Sequence, residues 1–355
     1  MDSKKQNNTE RIFSRDTFQA LKGYLCILVI VHHIHQFNGI LSETALNYPL
    51  LLLGHWCVIL FVFMSGFGLY SSYRKKGRDY ILKFPKNRLL TFFLMYLFFV
   101  ILYTIFEIIN KTELTASIFI HTFTYGQTII SFGWYLQLSL LLYLVFFLIL
   151  VLPVSKYVRS GLFLFFALVF VTFYRIINQP FNLYTPVASF LFGLITAVHI
   201  ESFKKFLTSY KKYIMLAVSL TVFCIFTLAT TLMVYRISDL LATSVPVSLL
   251  YILFTFLADI ALCMFMLSVT GMFYDIASAI VINPVSKFLG DISLEVYAMQ
   301  GIVLRTIFAY VTNVYLASVI SVVLTVALAF PVHLLLKKIT GLVKGPSGHK
   351  KEVSK

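Results

Sequence analysis

RDTFQALKGYLCILVIVHHIHQF, residues 15–37, reads as a membrane helix with a basic entry and three histidines near its far end. Its centre, LCILVIV, carries no charge. Lys22 and His33 are eleven residues apart. At ~100° per residue their side chains return to within about 20° of one another after three turns, roughly 16 Å apart along the axis. Arg15 lies seven residues before Lys22 and shares that face. His32 and His35 are rotated off it by about 100° and 160°. Ionisable side chains at membrane depth are costly, and they mark functional positions. Arg15, Lys22 and His33 are therefore expected to serve one site. His32 and His35 are expected to face other helices, lipid or the interface.

The rest of the chain fits a membrane setting. It has 355 residues, 59% of them hydrophobic and only 12% charged, with a mean hydropathy of +0.89. Soluble domains carry about 25% charged residues, so a soluble enzyme is excluded. Cys26, Cys57, Cys224 and Cys263 all lie in apolar runs without CxxC spacing and read as packing residues. No cleavable signal peptide is expected, because the first apolar run continues to spanning length without a small-residue cleavage site.

The net charge of +15 is not a nucleic-acid signal, because the cations fall in alternate loops. They fall in the segments up to Lys22, between 74 and 88, at Lys156 and Arg159, between 204 and 212, at Lys287, and from Lys337 onward. The intervening loops hold only Lys111, Arg175 and Arg236. Positive loops stay on the cytoplasmic side, so both termini are expected there and the number of spans is even. Ten spans of roughly bilayer length are placed at 18–37, 50–70, 89–109, 132–152, 161–178, 184–200, 213–234, 247–272, 289–311 and 314–336. The expected fold is all-α, a polytopic transmembrane helical bundle. Residues 1–17 form a cytoplasmic N-terminal segment, 18–338 the membrane domain and 339–355 a basic cytoplasmic tail. The loop 110–131, with its apolar ASIFIHTFTY, reads as a re-entrant or interfacial segment.

Further polar residues sit at or near membrane depth. Span 2 opens with His55 beside Trp56, and by topology His55 and His33 lie toward the same side. Ser65-Gly66 reads as a close helix-packing point. Trp134 and Tyr135 form an aromatic pair at the start of span 4. Arg88, at the entry of span 3, is either a snorkelling interfacial arginine or a grip on phosphates. Asp259, Glu295 and Arg305 lie inside spans, where such residues face the bundle interior and pair. Asp259 is the candidate partner for Arg305.

Four stretches in this order carry a resemblance: LKGYLCILVIVHH (21–33), GHWCVILFVFMSGFGL (54–69), FPKNRLLTFFLMY (84–96) and FLGDISLEVYAMQ (288–300). Together, in a ten-span chain, they resemble the acyltransferase-3 family, membrane enzymes that acylate sugars of bacterial envelope glycans. The family pairs a basic residue with a histidine eleven positions on, here Lys22 and His33. Its helix-3 motif often holds two arginines three apart; Arg88 fits the first and Thr91 stands at the second. Gln300 stands where the fourth motif often ends in histidine.

The resemblance implies a multi-pass protein of the bacterial cell membrane that moves an acyl group, most simply acetyl, from cytoplasmic acyl-CoA to a polysaccharide hydroxyl. His33 would be the general base or a transient acyl carrier, since imidazole serves both roles near neutral pH. Lys22, Arg88, Lys86 and Arg15 would hold the donor's phosphates. His55, Ser65, Trp134, Tyr135, Glu295 and Gln300 are candidates for an acceptor or supporting polar site. The partners implied are membrane lipid, acyl-CoA and a glycan, with no bound cofactor and no metal. Two other classes compete. A transporter of an anionic or glycan-linked substrate would also bury Asp259, Glu295 and Arg305, but it predicts repeated halves with broken helices, which are not evident. A haem or metal protein would use His33 and His55, but lacks a second histidine pair.

Overall fold

The structure, a computed structural model, describes residues 11–124 and 126–344, without the side chains of Thr208, residues 273–280 and Lys344. Every regular element among them is helical. α1 (Arg15–Asn38) is followed by α2 (Asn47–Lys76), α3 (Arg78–Phe84), a π-helical stretch Pro85–Leu90 and α4 (Thr91–Ile109). Next come α5 (Ala116–Phe123), α6 (Trp134–Val151), α7 (Lys156–Ile176), α8 (Phe181–Tyr184), α9 (Val187–Val198) and α10 (Ile200–Thr208). α11 (Lys211–Thr243), α12 (Val245–Val281), α13 (Pro284–Asp291), α14 (Ser293–Tyr310) and α15 (Val314–Lys344) complete the bundle. Among the described residues nine helices are long and apolar enough to cross a membrane, and α13 with α14 supplies a tenth crossing if counted as one. The chain is a multi-pass membrane protein.

Local chemistry sets the ends of α1. The Ser14 hydroxyl accepts a hydrogen bond from the Thr17 amide at 3.2 Å, satisfying one of the free amides of the first turn. Gly39 stops the helix at φ +66°, a conformation glycine adopts without Cβ strain. α1 lies at the centre, packed on α2, α13 and α14, while α2 also packs along α9. Gly66 and Gly193 mark the α2–α9 crossing. A Cβ on Gly66 would fall on the Phe190 carbonyl, and one on Gly193 on the Phe63 carbonyl. Close packing at Ser65-Gly66 is thus realised through Gly66. By contrast α7, α11 and α15 keep most of their apolar surface outward, as helices bathed in lipid do.

Several expectations need correction. The ninth span, expected as one helix over 289–311, is bent by 70° between α13 and α14. α11 extends well past residue 234 to Thr243, with non-helical backbone at Ile237. α15 continues to Lys344, into the segment read as a tail; residues 345–355, like residues 1–10 of the N-terminal segment, lie outside the described part. The 110–131 loop, read as re-entrant or interfacial, needs no such change: its described residues hold the eight-residue α5, too short to cross. It is tied down by Tyr96, whose hydroxyl donates to the Thr122 carbonyl at 2.6 Å. Cys224 is exposed, whereas the other three cysteines are buried.

The buried charges pair differently from the expected Asp259–Arg305. Arg305 grips Glu107 of α4, with Nη1 on Oε1 and Nη2 on Oε2, the latter at 3.0 Å. Asp259 pairs with His55 at 3.2 Å. Glu295 accepts from His333 of α15 at 2.9 Å. Each pair joins two helices, which places the cost of burying one charge against the gain of a partner.

Candidate active site

The C-terminal half of α1 opens onto a cavity of about 630 Å³. That size suits a drug-sized or sugar-sized ligand, since such sites span ~300–1,000 Å³. His32, His33 and Gln36 line it from α1, and Gly54, His55 and Trp56 from α2. Phe132, Trp134, Asp259 and Tyr297 come from further along the chain.

His33 is only 7% exposed and is held on two sides. Its ring stacks on Phe132 with centroids 3.6 Å apart and planes 17° from parallel. Its Nδ1 donates to Gln36 Oε1 at 2.9 Å. The two residues are three apart on α1, so the helix itself supplies this contact. With the proton fixed on Nδ1, Nε2 keeps its lone pair and has no hydrogen-bond partner among the described residues, the state required of a base or nucleophile. Phe132 is in turn fixed. It adopts φ +63°, a strained value for a bulky residue, and its carbonyl accepts from the Tyr297 hydroxyl at 2.6 Å.

The other two α1 histidines separate. His35 is bound to the Ile40 carbonyl and to Asn47 Oδ1, so it ties the end of α1 to the start of α2 and stays out of the cavity. His32, expected on a different face, lines the same cavity as His33, with ring centroids 4.8 Å apart. Its Nδ1 donates to the Leu50 carbonyl at 2.7 Å. The reason is Gly54: a Cβ there would lie on the His32 imidazole, so the missing side chain makes room for the ring at the cavity's edge.

The N-terminal half of α1 borders a second cavity, of about 540 Å³. Arg15 and Lys22 enter it from α1, Ser65, Lys75 and Lys76 from α2, and Arg88 from the π-helical stretch. No carboxylate is among its lining residues. A third cavity, of about 610 Å³, shares Arg15 and Lys75 with it and adds Arg74; Lys204 also lines it but is paired there with Glu201 at 3.2 Å. The result is a basic tray suited to a polyanion. π-helical turns widen the backbone and recur at functional sites; this one carries Arg88.

The structure brings Arg15, Lys22 and Arg88 to one cavity and His33, His55 and Trp134 to the other. Lys86 is exposed and lines neither. Ser65, expected on the acceptor side, lines the basic cavity instead. Tyr135 lies between the two, packed edge-on against Tyr297 at 5.1 Å and tilted against Phe61 at 5.8 Å. Glu295 is committed to His333. Gln300 is fully buried, its amide without a hydrogen-bond partner among the described residues, and it lines neither cavity. Thr91, at the family's second arginine position, donates to the Lys86 carbonyl at 3.2 Å. The sequence reading missed Gln36, Phe132, Lys75 and Lys76 and put Asp259 in the wrong pair. The His33–Gln36 spacing was a usable signal for the first.

These features define a class: a multi-pass helical membrane protein whose first helix carries a cation cluster at one end and an activated, clamped imidazole at the other. The sequence profile of the acyltransferase-3 family, described as an acyltransferase domain, matches residues 16–336. The chain belongs to that family and is a membrane acyltransferase. Searches of curated proteins and of solved structures gave no significant match.

Proposed function

We propose that this protein transfers an acyl group, acetyl in the simplest case, from acyl-CoA to a hydroxyl of a cell-envelope or exported polysaccharide. The observation that carries the reading is that one helix, α1, lines both cavities, with Lys22 in the basic one and His33 in the other. The donor's phosphates would sit among Arg15, Lys22, Arg88, Lys75 and Lys76, on the cytoplasmic side of a bacterial cell membrane with both termini inside. The acyl chain would point along α1 toward His33. The acceptor would enter the histidine cavity, where Trp56 and Trp134 offer flat apolar faces to a sugar ring and the His33 Nε2 lone pair meets the reacting carbon or hydroxyl. The donor is a substrate, and no bound cofactor is required.

The test is label transfer. Membranes containing the protein, given acetyl-CoA labelled in the acetyl group, should label the envelope polysaccharide, and His33→Ala at equal protein amount should not. Passage of intact labelled material without covalent transfer would favour a transporter and sink the proposal.

A further inference from the structure

A single imidazole that holds the acyl group on Nε2 cannot also take the proton from the incoming hydroxyl. The histidine cavity contains a second imidazole with its own carboxylate. His55 Nε2 lies 3.2 Å from Asp259 Oδ1, and both residues line the cavity with His33. Asp259 is 3% exposed, and its other oxygen, Oδ2, is buried with no hydrogen-bond partner among the described residues. A carboxylate so buried is costly unless paired, and His55 is the group that pairs with it. The carboxylate therefore holds the proton on His55 Nε2 and turns the lone pair to Nδ1, as in the carboxylate–imidazole arrangement of hydrolase triads. His55 Nδ1 makes no hydrogen bond among the described residues, and the side chain is 22% exposed. The remaining imidazole, His32, donates from Nδ1 to the Leu50 carbonyl and has its Nε2 edge packed against Gly54, away from an incoming hydroxyl.

We propose that His55, positioned by Asp259, is the base that deprotonates the acceptor hydroxyl, while His33 carries the acyl group. This deepens the acyltransferase reading and rests on it. In the first half-reaction the His33 Nε2 lone pair adds to the thioester carbonyl carbon. The C–S bond breaks, and the thiolate leaves and takes a proton from water. His33 is left as an acyl-imidazolium, its Nδ1 proton still donated to Gln36 Oε1. In the second half-reaction the acceptor O–H proton passes to His55 Nδ1 and the oxygen attacks the acyl carbon. The C–Nε2 bond breaks, which returns His33 to its neutral state. The imidazolium of His55, stabilised by Asp259, then loses its proton to water at the cavity mouth.

The experiment separates the two halves. Purified full-length protein is mixed with acetyl-CoA labelled in the acetyl group, first without acceptor, and CoA release and protein-bound label, separated rapidly from free label at neutral pH, are measured. Envelope polysaccharide from cells lacking the protein is then added. For His55→Gln we expect one equivalent of CoA released and label retained on the protein, with transfer to polysaccharide falling by about 10²–10⁴-fold, the usual loss on removing a general base. Asp259→Asn should show the same split with a smaller loss, and Asp259→Glu should recover part of the transfer. His33→Ala should lose both halves. Transfer at the wild-type rate in His55→Gln overturns the proposal. So does loss of the CoA burst in a His55→Gln protein that elutes and melts as the wild type does. If the wild-type protein itself neither releases CoA nor labels polysaccharide, the proposed transfer from acetyl-CoA to polysaccharide falls, and this proposal with it.

Discussion

Among the three histidines of α1, His33 is set apart by a ring stacked on Phe132, whereas the Nε2 edge of His32 packs against Gly54 and both ring nitrogens of His35 are hydrogen-bonded. His33→Ala should abolish measurable transfer while the protein still reaches the membrane in normal amount. His35→Ala should keep most of its activity, because that ring only ties α1 to the start of α2. Acylation of envelope polysaccharide, normalised to protein, distinguishes them. Gly54→Ala offers a finer test. The added methyl falls on the His32 ring, and overpacking of this kind costs about 1–3 kcal/mol. It should lower the melting temperature and slow transfer, and His32→Ala in the same chain should restore part of the stability. His33 and its basic partners were legible because helical spacing fixes which residues share a face. Asp259 was legible as a buried carboxylate but not as the partner of His55, since 204 residues separate them and only tertiary packing joins them. Phe132 left no trace in the sequence. Its stacking depends on a positive φ, which nothing about a phenylalanine announces.

At the scale of elements, the entry to α4 is where the residue pattern and the structure part most usefully. The sequence places Lys86 and Arg88 side by side, and either could grip a phosphate. The π-helical stretch turns Arg88 into the basic cavity and leaves Lys86 outside it. Arg88→Ala should therefore weaken acyl-CoA binding by about 10- to 100-fold, the equivalent of the ~1.5–3 kcal/mol of a hydrogen bond to a charged group. Lys86→Ala should leave it within a factor of two or three, while Lys75→Ala, at the end of α2, should weaken it measurably. Calorimetry on detergent-solubilised protein would read all three. Unchanged affinity in Arg88→Ala would return that residue to an interfacial role. Helix number was legible because apolar length and turn residues are local properties. The 70° break in the ninth span was not, because FLGDISLEVY contains no proline and the bend is set by how α13 packs on α1.

For the molecule as a whole, the loop charges predict an orientation. Reporter fusions should place residues 74–86 and 204–212 in the cytoplasm and 112–128 outside; a cytoplasmic reading for 112–128 would overturn the ten-crossing arrangement. In that orientation the antiparallel pairing of α1 with α2 has an electrical consequence. The cavities lie at opposite ends of the same hairpin, so neither a phosphorylated donor nor a hydrated sugar has to change sides. To carry the phosphates through would mean stripping their water and working against the membrane potential, at ~2.3 kcal/mol per charge per 100 mV. In the proposed transfer the phosphates stay in the basic cavity and only the uncharged thioester arm of the donor reaches along α1 to His33, so no phosphate charge has to move through the bilayer's field.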